Sequence, residues 1–409
     1  MSVVDPAGRT ITFQGALDWV WQPYVTTVLT GTLHAMDAIP LISNRQGAST
    51  TFTLDDDGIT VDGIITEFQG NSIRVVTQAA LEFGVAVLLK ELWFHIPNYH
   101  TFHGTPISRE GGRTWDGRLM LDSGEWDITI DRLEEWRMGG NDGLADKTAT
   151  NHAHAISHIG RLTKKNGETF ALQQARDDIL ECLRLFLSFS LGAWTAPILL
   201  TGLDESGARV ACDWRAGTVD PCVWRPSWYP WPAEGRILSE VWRGFLRLWG
   251  EWGPGLMVCL EWYVQANTTK SPATGVVLSQ TALELLFWKI LGEPVLRADK
   301  AIEKIRFSDT LRLLLNTCQI KVDIPESLTC LTSAAGDRNW ADGPHVTSEL
   351  RNTFVHGSKV AKAADADVDV VQEAWQLALW YIEVVLLRKM GYAGLISSRL
   401  VRGERASMP

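Results

Sequence analysis

The sequence predicts an α+β protein, with a β-rich, sandwich-like N-terminal region followed by an all-helical bundle. Three observations carry this. Short runs rich in Thr, Val, Ile and Phe recur through the first 135 residues, separated by turn formers. Beyond Ala233 the apolar residues fall instead at three- and four-residue steps. A length of 409 residues, 45% hydrophobic and 21% charged, is enough for two or three domains with cores of their own. The expected organisation is a sensor or regulatory β domain over residues 1–160, a mixed α/β connecting region over 161–255 and a helical domain over 256–409.

The first strands are expected at Arg9–Phe13, Ser49–Leu54, Gly58–Thr66 and Asn71–Val76, with turns at 55–58 and 69–71. Leu119–Leu121 and Trp126–Ile130 read as a hairpin around Asp122-Ser123-Gly124. Over Gln78–Phe94 the Ala, Leu, Glu and Lys content leaves strand and helix both open. From Met138 to about Asn166 small and polar residues suggest a linker or long surface loop. Glu168–Leu191 is amphipathic, with Leu172, Ala175, Ile179, Leu183 and Phe186 on one stripe. Strands follow at Ala196–Leu203 and Ala208–Trp214. Of the 19 tryptophans, three cluster with prolines in Trp224-Arg225-Pro226-Ser227-Trp228-Tyr229-Pro230-Trp231-Pro232, which reads as a stiff packed loop rather than an aromatic ligand platform. Helices are expected at Ile237–Trp249, Leu256–Ala266, Thr274–Leu291, Ala298–Ile305, Ser308–Cys318 (capped by Ser308) and Val371–Met390, the last ended by Gly391.

Charge and cysteine usage narrow the function classes. A net charge of −10 argues against a protein that coats nucleic acid non-specifically, while leaving room for a local basic cleft. The six cysteines form no CxxC pair, which suits reduced thiols in a cytoplasm. The first residues lack a basic segment followed by an apolar core, so no signal peptide is expected. No membrane partner is expected either, since Leu180–Leu191 is broken by Arg184 and serines. P-loop, GxGxxG and GxSxG contexts are absent from the sequence.

The sharpest local pattern is Leu350-Arg351-Asn352-Thr353-Phe354-Val355-His356-Gly357. It is expected on the first turns of a helix, with Ser348 as N-cap and Glu349 in the first turn. On an ideal helix Asn352 and His356 share a face, and Arg351 lies about 140° round from His356. A permanently charged guanidinium beside an imidazole that titrates near neutrality is a pairing that phosphate chemistry uses. Glu284, on the stripe of Gln280 and Trp288, either pairs with Arg351 and positions it or lies on an exposed polar edge. Lys359 follows the motif and could contact phosphate, or could simply be solvated.

The segment from about Thr274 to Tyr392 resembles the HEPN family (higher eukaryotes and prokaryotes nucleotide-binding), most closely the Apea-like HEPN domains of bacterial abortive-infection proteins. The resemblance rests on the helix Thr281–Leu286, the stretch Ser308–Leu328, Leu350–Gly357 and the ending Leu386–Tyr392. The family's motif is an arginine, a polar residue after it and a histidine four to six positions on; Arg351, Asn352 and His356 match it. The resemblance implies a dimerising helical domain acting as a metal-independent endoribonuclease in anti-phage defence. It implies no cofactor, RNA and a second copy of the chain as partners, and an unidentified phage trigger. The RNA 2′-hydroxyl would attack the adjacent phosphodiester, giving a 2′,3′-cyclic phosphate and a free 5′-hydroxyl. His356 would move the proton, Arg351 would stabilise charge on the phosphorane and Asn352 would orient the phosphate or the histidine. The alternative is a HEPN module that binds RNA, nucleotide or protein without cutting.

Two histidine groups invite a metal reading, His95, His100 and His103, and then His152, His154 and His158. Neither has HExxH spacing or a cysteine pair, so metal is not expected at either. The basic tail, Arg399, Arg402 and Arg405, reads as a frayed end or a modest RNA contact.

Overall fold

The computed structural model describes the whole chain apart from residues 6–7, 22–25, 35–36, 38–40, 42–48, 55–58, 79–80, 109–111, 113, 137–142, 216, 231–232, 296–304, 357–366, 402–404 and 409. It is α+β, with the strands concentrated before residue 215 and the helices after it.

The first sheet is built from β1 (Ser2–Val4), β2 (Thr10–Thr12), β3 (Gln14–Val20), β4 (Thr26–Thr32), β5 (Ser49–Leu54), β6 (Ile59–Gln69) and β7 (Ser72–Thr77). Its order is β2-β1-β5-β6-β7-β4-β3, with every neighbouring pair antiparallel. Alternate residues of its strands, among them Leu29, Phe52, Val61, Ile73 and Val75, form a core distinct from that of the rest of the chain. At the β6–β7 hairpin Gln69 faces Ser72, and Gly70 takes φ +62, as the first centre of a two-residue turn demands.

The second sheet comprises β8 (Leu81–Phe83), β10 (Glu91–Pro97), β11 (Thr105–Ser108), β12 (Thr114–Asp122), β13 (Trp126–Arg132), β14 (Ile156–Lys164), β16 (Ile198–Leu203) and β17 (Arg209–Trp214). Its order is β11-β12-β13-β14-β10-β16-β17-β8. The short β9 (Leu88–Leu89) and β15 (Phe170–Ala171) pair with each other. The ambiguous stretch before Phe94 is therefore extended. The β12–β13 hairpin closes at Asp122–Asp127, around the turn that the sequence marks.

The expected linker over 138–166 is corrected. It carries α1 (Leu144–Thr150) and the central strand β14. Polar side chains hide that strand in the sequence: Ser157 and His158 are fully buried, and the Ser157 hydroxyl donates to the Ile96 carbonyl while accepting from the Tyr99 N–H. Gly160 is required there, because a Cβ would stand 2.1 Å from the Phe94 ring.

The helices are α2, α3 (Gly235–Trp252), α4 (Pro254–Thr268), α5 (Pro272–Phe287), α6 (Phe307–Thr317), α7 (Thr329–Arg338), α8 (Gly343–Val355) and α9 (Val368–Lys389). α2 runs Leu172–Ala175, passes through a π-helical turn at Arg176–Leu180 and continues as Glu181–Leu191. α5 likewise ends in a π turn, Trp288–Gly292. Two helical stretches, Pro272–Gly292 and Val368–Lys389, are long and apolar enough to cross a membrane, but 61% and 83% of their apolar windows are buried inside the fold. One continuous core joins the second sheet to the bundle through Phe94, Phe186, Trp242, Leu283 and Tyr381. A hairpin of β18 (Leu395–Ser397) and β19 (Arg405–Ser407) closes the chain.

Several local expectations change. Ser308 lies inside α6, behind Arg306, rather than capping it, and the expected helix at Ala298–Ile305 falls almost wholly outside the described residues. The tail is not a frayed end: the side chains of Arg399 and Glu383 are each 1% exposed and form a bidentate pair at 2.7 and 2.8 Å. Tyr263 donates to the same carboxylate at 2.5 Å. The tryptophan–proline loop is packed as expected, with Trp228 fully buried and its indole N–H donating to the Phe189 carbonyl, while Trp224 stays 42% exposed.

Candidate functional site

A cavity of about 600 Å³ opens where the second sheet, α2 and α4 meet. Two one-residue irregularities converge on it. In α2 the π turn widens the helix, and its Arg176 and Leu180 face the cavity. In β16 an extra residue is accommodated: His95 pairs with Ile198 and Trp93 with Thr201, so three steps of one strand oppose two of the other. Leu199 sits in this bulge at φ +54, a conformation that costs a non-glycine residue about 1–3 kcal/mol, and its neighbours Ile198 and Leu200 line the cavity. Such strain persists only where surrounding structure imposes it, and it collects at ligand sites.

The electrostatics of the cavity are organised as pairs. Arg176 lies 2.5 Å from Asp213, whose side chain is 2% exposed, and 3.1 Å from Glu82. Arg215 closes the ring, reaching Asp213 at 2.9 Å and Glu82 at 2.6 Å. The hydrogen bond from Arg176 holds the Glu82 carboxyl below its ordinary pKa. The Nε of Arg176 is buried without a hydrogen-bond partner. Further along α2, Arg184 grips Glu181 with two bonds of 2.7 and 2.8 Å while lying 5.1 Å over the Trp194 ring. Glu261 and Gln265, one turn apart on α4, complete the lining. The ring and the π turn leave little trace in sequence; the only hint is the charged run Arg176-Asp177-Asp178 inside an amphipathic helix.

The expected phosphate-chemistry motif lies elsewhere. Arg351, Asn352 and His356 stand at the C-terminal end of α8, not on its first turns. The N-cap is Asp342, not Ser348, because its carboxylate accepts from the His345 N–H and also binds Arg312, while Pro344 suits the first turn. Arg351 reaches the Asn352 side chain at 3.4 Å. His356 is exposed at the C-cap with φ −87 and ψ 116, so ideal helical angles no longer relate it to Arg351. Glu284 is exposed, and among the described residues no ion pair joins it to Arg351. Lys359 lies outside the described residues.

The histidines are dispersed into packing roles, and among the described residues no group of His, Cys, Asp and Glu is arranged to hold a metal. His103 pairs with Asp116 at 2.7 Å, and His100 stacks on Trp224. His154 stacks on Trp21, and His158 stacks on Phe102. Burial pushes the His100 imidazole down to about 4 and His158 well below the usual range.

With this geometry in view, residues 87–225 match the family model of the YopA central domain and residues 250–407 that of the YopA C-terminal domain. The chain resembles YopA. Among curated proteins it is similar to the SPbeta prophage-derived uncharacterized protein YopA of Bacillus subtilis (strain 168), at 23% identity over 349 residues, covering 84% of this chain and 76% of that protein. No solved structure matches. The HEPN resemblance is thereby corrected. The segment that carried it falls within the YopA C-terminal match, and no HEPN family is found. The reason is physical as well: a short Arg-Asn-x-x-x-His pattern depends on its helical setting for meaning, and here it ends a helix rather than opening one. The cavity, by contrast, is lined from both YopA-like regions, by Arg176, Arg184 and Arg215 from the central match and Glu261 and Gln265 from the C-terminal one.

Proposed function

We propose that this chain is a ligand-responsive binding protein whose ligand occupies the cavity between the second sheet and the helices. The observation that carries this reading is the meeting of the π turn and the Leu199 bulge on one cavity of about 600 Å³. Binding clefts commonly fall in that size range and between structural units. The Glu82–Arg176–Asp213–Arg215 ring links β8, α2 and the end of β17, so occupancy of the cavity would bear on all three. The test is thermal denaturation of the full chain against a panel of small metabolites, followed by calorimetry. Binding should weaken at least tenfold when the cavity mouth is filled by Thr218→Trp; a ligand that binds this variant unchanged overturns the assignment of the site.

A second reading keeps the endoribonuclease chemistry, with Arg351 and His356 from two copies of the chain sharing one cleft. It is favoured by the position of Arg351, Asn352 and His356 together on the exposed end of α8. RNA is then the partner, the setting is antiviral defence in the cytoplasm, and the prophage origin printed for the relative supports a link to phage. Incubation of the protein with RNA in EDTA tests it. Cyclic-phosphate ends that vanish in Arg351→Ala and His356→Ala support it, and intact RNA with a folded dimer rejects it.

A further inference from the structure

We infer that the cavity takes a small organic cation, an inference that rests on the reading of the cavity as a binding site. Three arginines line it, which at first suggests an anion. Each guanidinium is already engaged: Arg176 and Arg215 by Asp213 and Glu82, and Arg184 by Glu181 and the Trp194 face. With Glu82 included, three guanidiniums stand against the carboxylates of Glu82, Glu181, Asp213 and Glu261, which leaves one negative charge in excess. That excess belongs to Glu261, which makes no ion pair among the described residues. An anion drawn to a spare guanidinium N–H would also face the carboxylate that the same guanidinium pairs with, whereas an ammonium group meets a free carboxylate.

The rest of the lining gives the ligand its shape. Gln265 follows Glu261 by one helical turn, and its amide oxygen can accept a second N–H from the same head group. Leu180, Ala196, Pro197, Ile198 and Leu200 supply an apolar wall suited to an aliphatic body. The chemical class is therefore an aliphatic amine or diamine, with its ammonium at Glu261 and Gln265 and its methylenes against the β16 bulge.

The experiment is calorimetric titration of the full chain with 1,4-diaminobutane, spermidine and lysine, beside neutral butane-1,4-diol and anionic succinate and adenosine monophosphate. Amines should bind while the diol and the anions do not. Glu261→Gln should weaken amine binding on the order of 10- to 100-fold, the range expected for losing a hydrogen bond to a charged group. Affinity should also fall with added salt and above about pH 10, where alkyl ammonium groups lose their proton. If neutral or anionic probes bind and are lost in Thr218→Trp while amines do not bind, the cation inference fails and the site stands. If no charge class binds, both fail. Amine binding that is indifferent to Glu261→Gln refutes the assignment of Glu261.

Discussion

Removal of Arg399 should unlatch the C-terminal hairpin from the helical core. Its guanidinium makes two bonds of 2.7 and 2.8 Å to Glu383, a third of 2.6 Å to the Pro226 carbonyl and a longer one of 3.3 Å to the Tyr263 hydroxyl. Both charged side chains are 1% exposed, so Arg399→Ala leaves the Glu383 carboxylate inside the protein with the Tyr263 hydroxyl as its main remaining donor. Breaking a buried ion pair from one side costs about 3–5 kcal/mol, most of it from the stranded charge. Glu383→Ala should cost a similar amount by stranding the guanidinium. Replacing both partners together with apolar groups of similar volume, Arg399→Met with Glu383→Leu, should recover most of the loss. Urea unfolding followed by far-ultraviolet circular dichroism measures all three variants, and a double-mutant cycle isolates the coupling. If the single variants each lose less than about 1 kcal/mol, or if their losses simply add in the double variant, the pair is not the latch described here.

Other outcomes follow from the same structure. His100 titrates near 4 in the fold against about 6.5 when unfolded, so the unfolded chain binds the extra proton between those values. Stability should be fully present above pH 6.5 and fall by up to about 3 kcal/mol as pH drops to 4, His158 adding in the same direction; denaturant midpoints across pH, flattened in His100→Phe, check this. Gly160→Val would drive its side chain into the Phe94 ring and should cost about 3 kcal/mol or more, or prevent soluble expression. Asp342→Ala removes the α8 cap and the partner of Arg312, for a loss of about 1–2 kcal/mol in thermal unfolding, with Asp342→Asn recovering part of it through its capping oxygen.

The strands and helices with clean periodicity were legible. Phe52, Val61 and Val75 each face inward between more exposed neighbours, as a half-buried sheet requires, and Leu172, Ala175 and Ile179 are all buried at the expected spacing. The stiff tryptophan–proline loop and the end of the last helix at Gly391, φ +76, were legible for the same reason: each follows from a residue's own conformational preference. The α8 boundary was misread because Ser348 and Asp342 are both competent caps, and only the position of Arg312 and of the first-turn amides selects Asp342. The strand β14 was missed because its buried Ser157 and His158 look solvent-facing until Ile96 and Tyr99 answer them.

By itself the sequence determined the α+β class, the order of strands before helices and the dispersed cysteines, since local propensity and periodicity act over a few residues at a time. Tertiary structure alone decided where charge is confined. It drew Arg399 from the tail onto Glu383, brought Glu82, Arg176, Asp213 and Arg215 from three separate segments into one ring, and left Glu261 unanswered at the cavity. Those pairings join residues up to 133 positions apart. No spacing rule reaches that far, because what fixes them is the cost of leaving a buried charge alone.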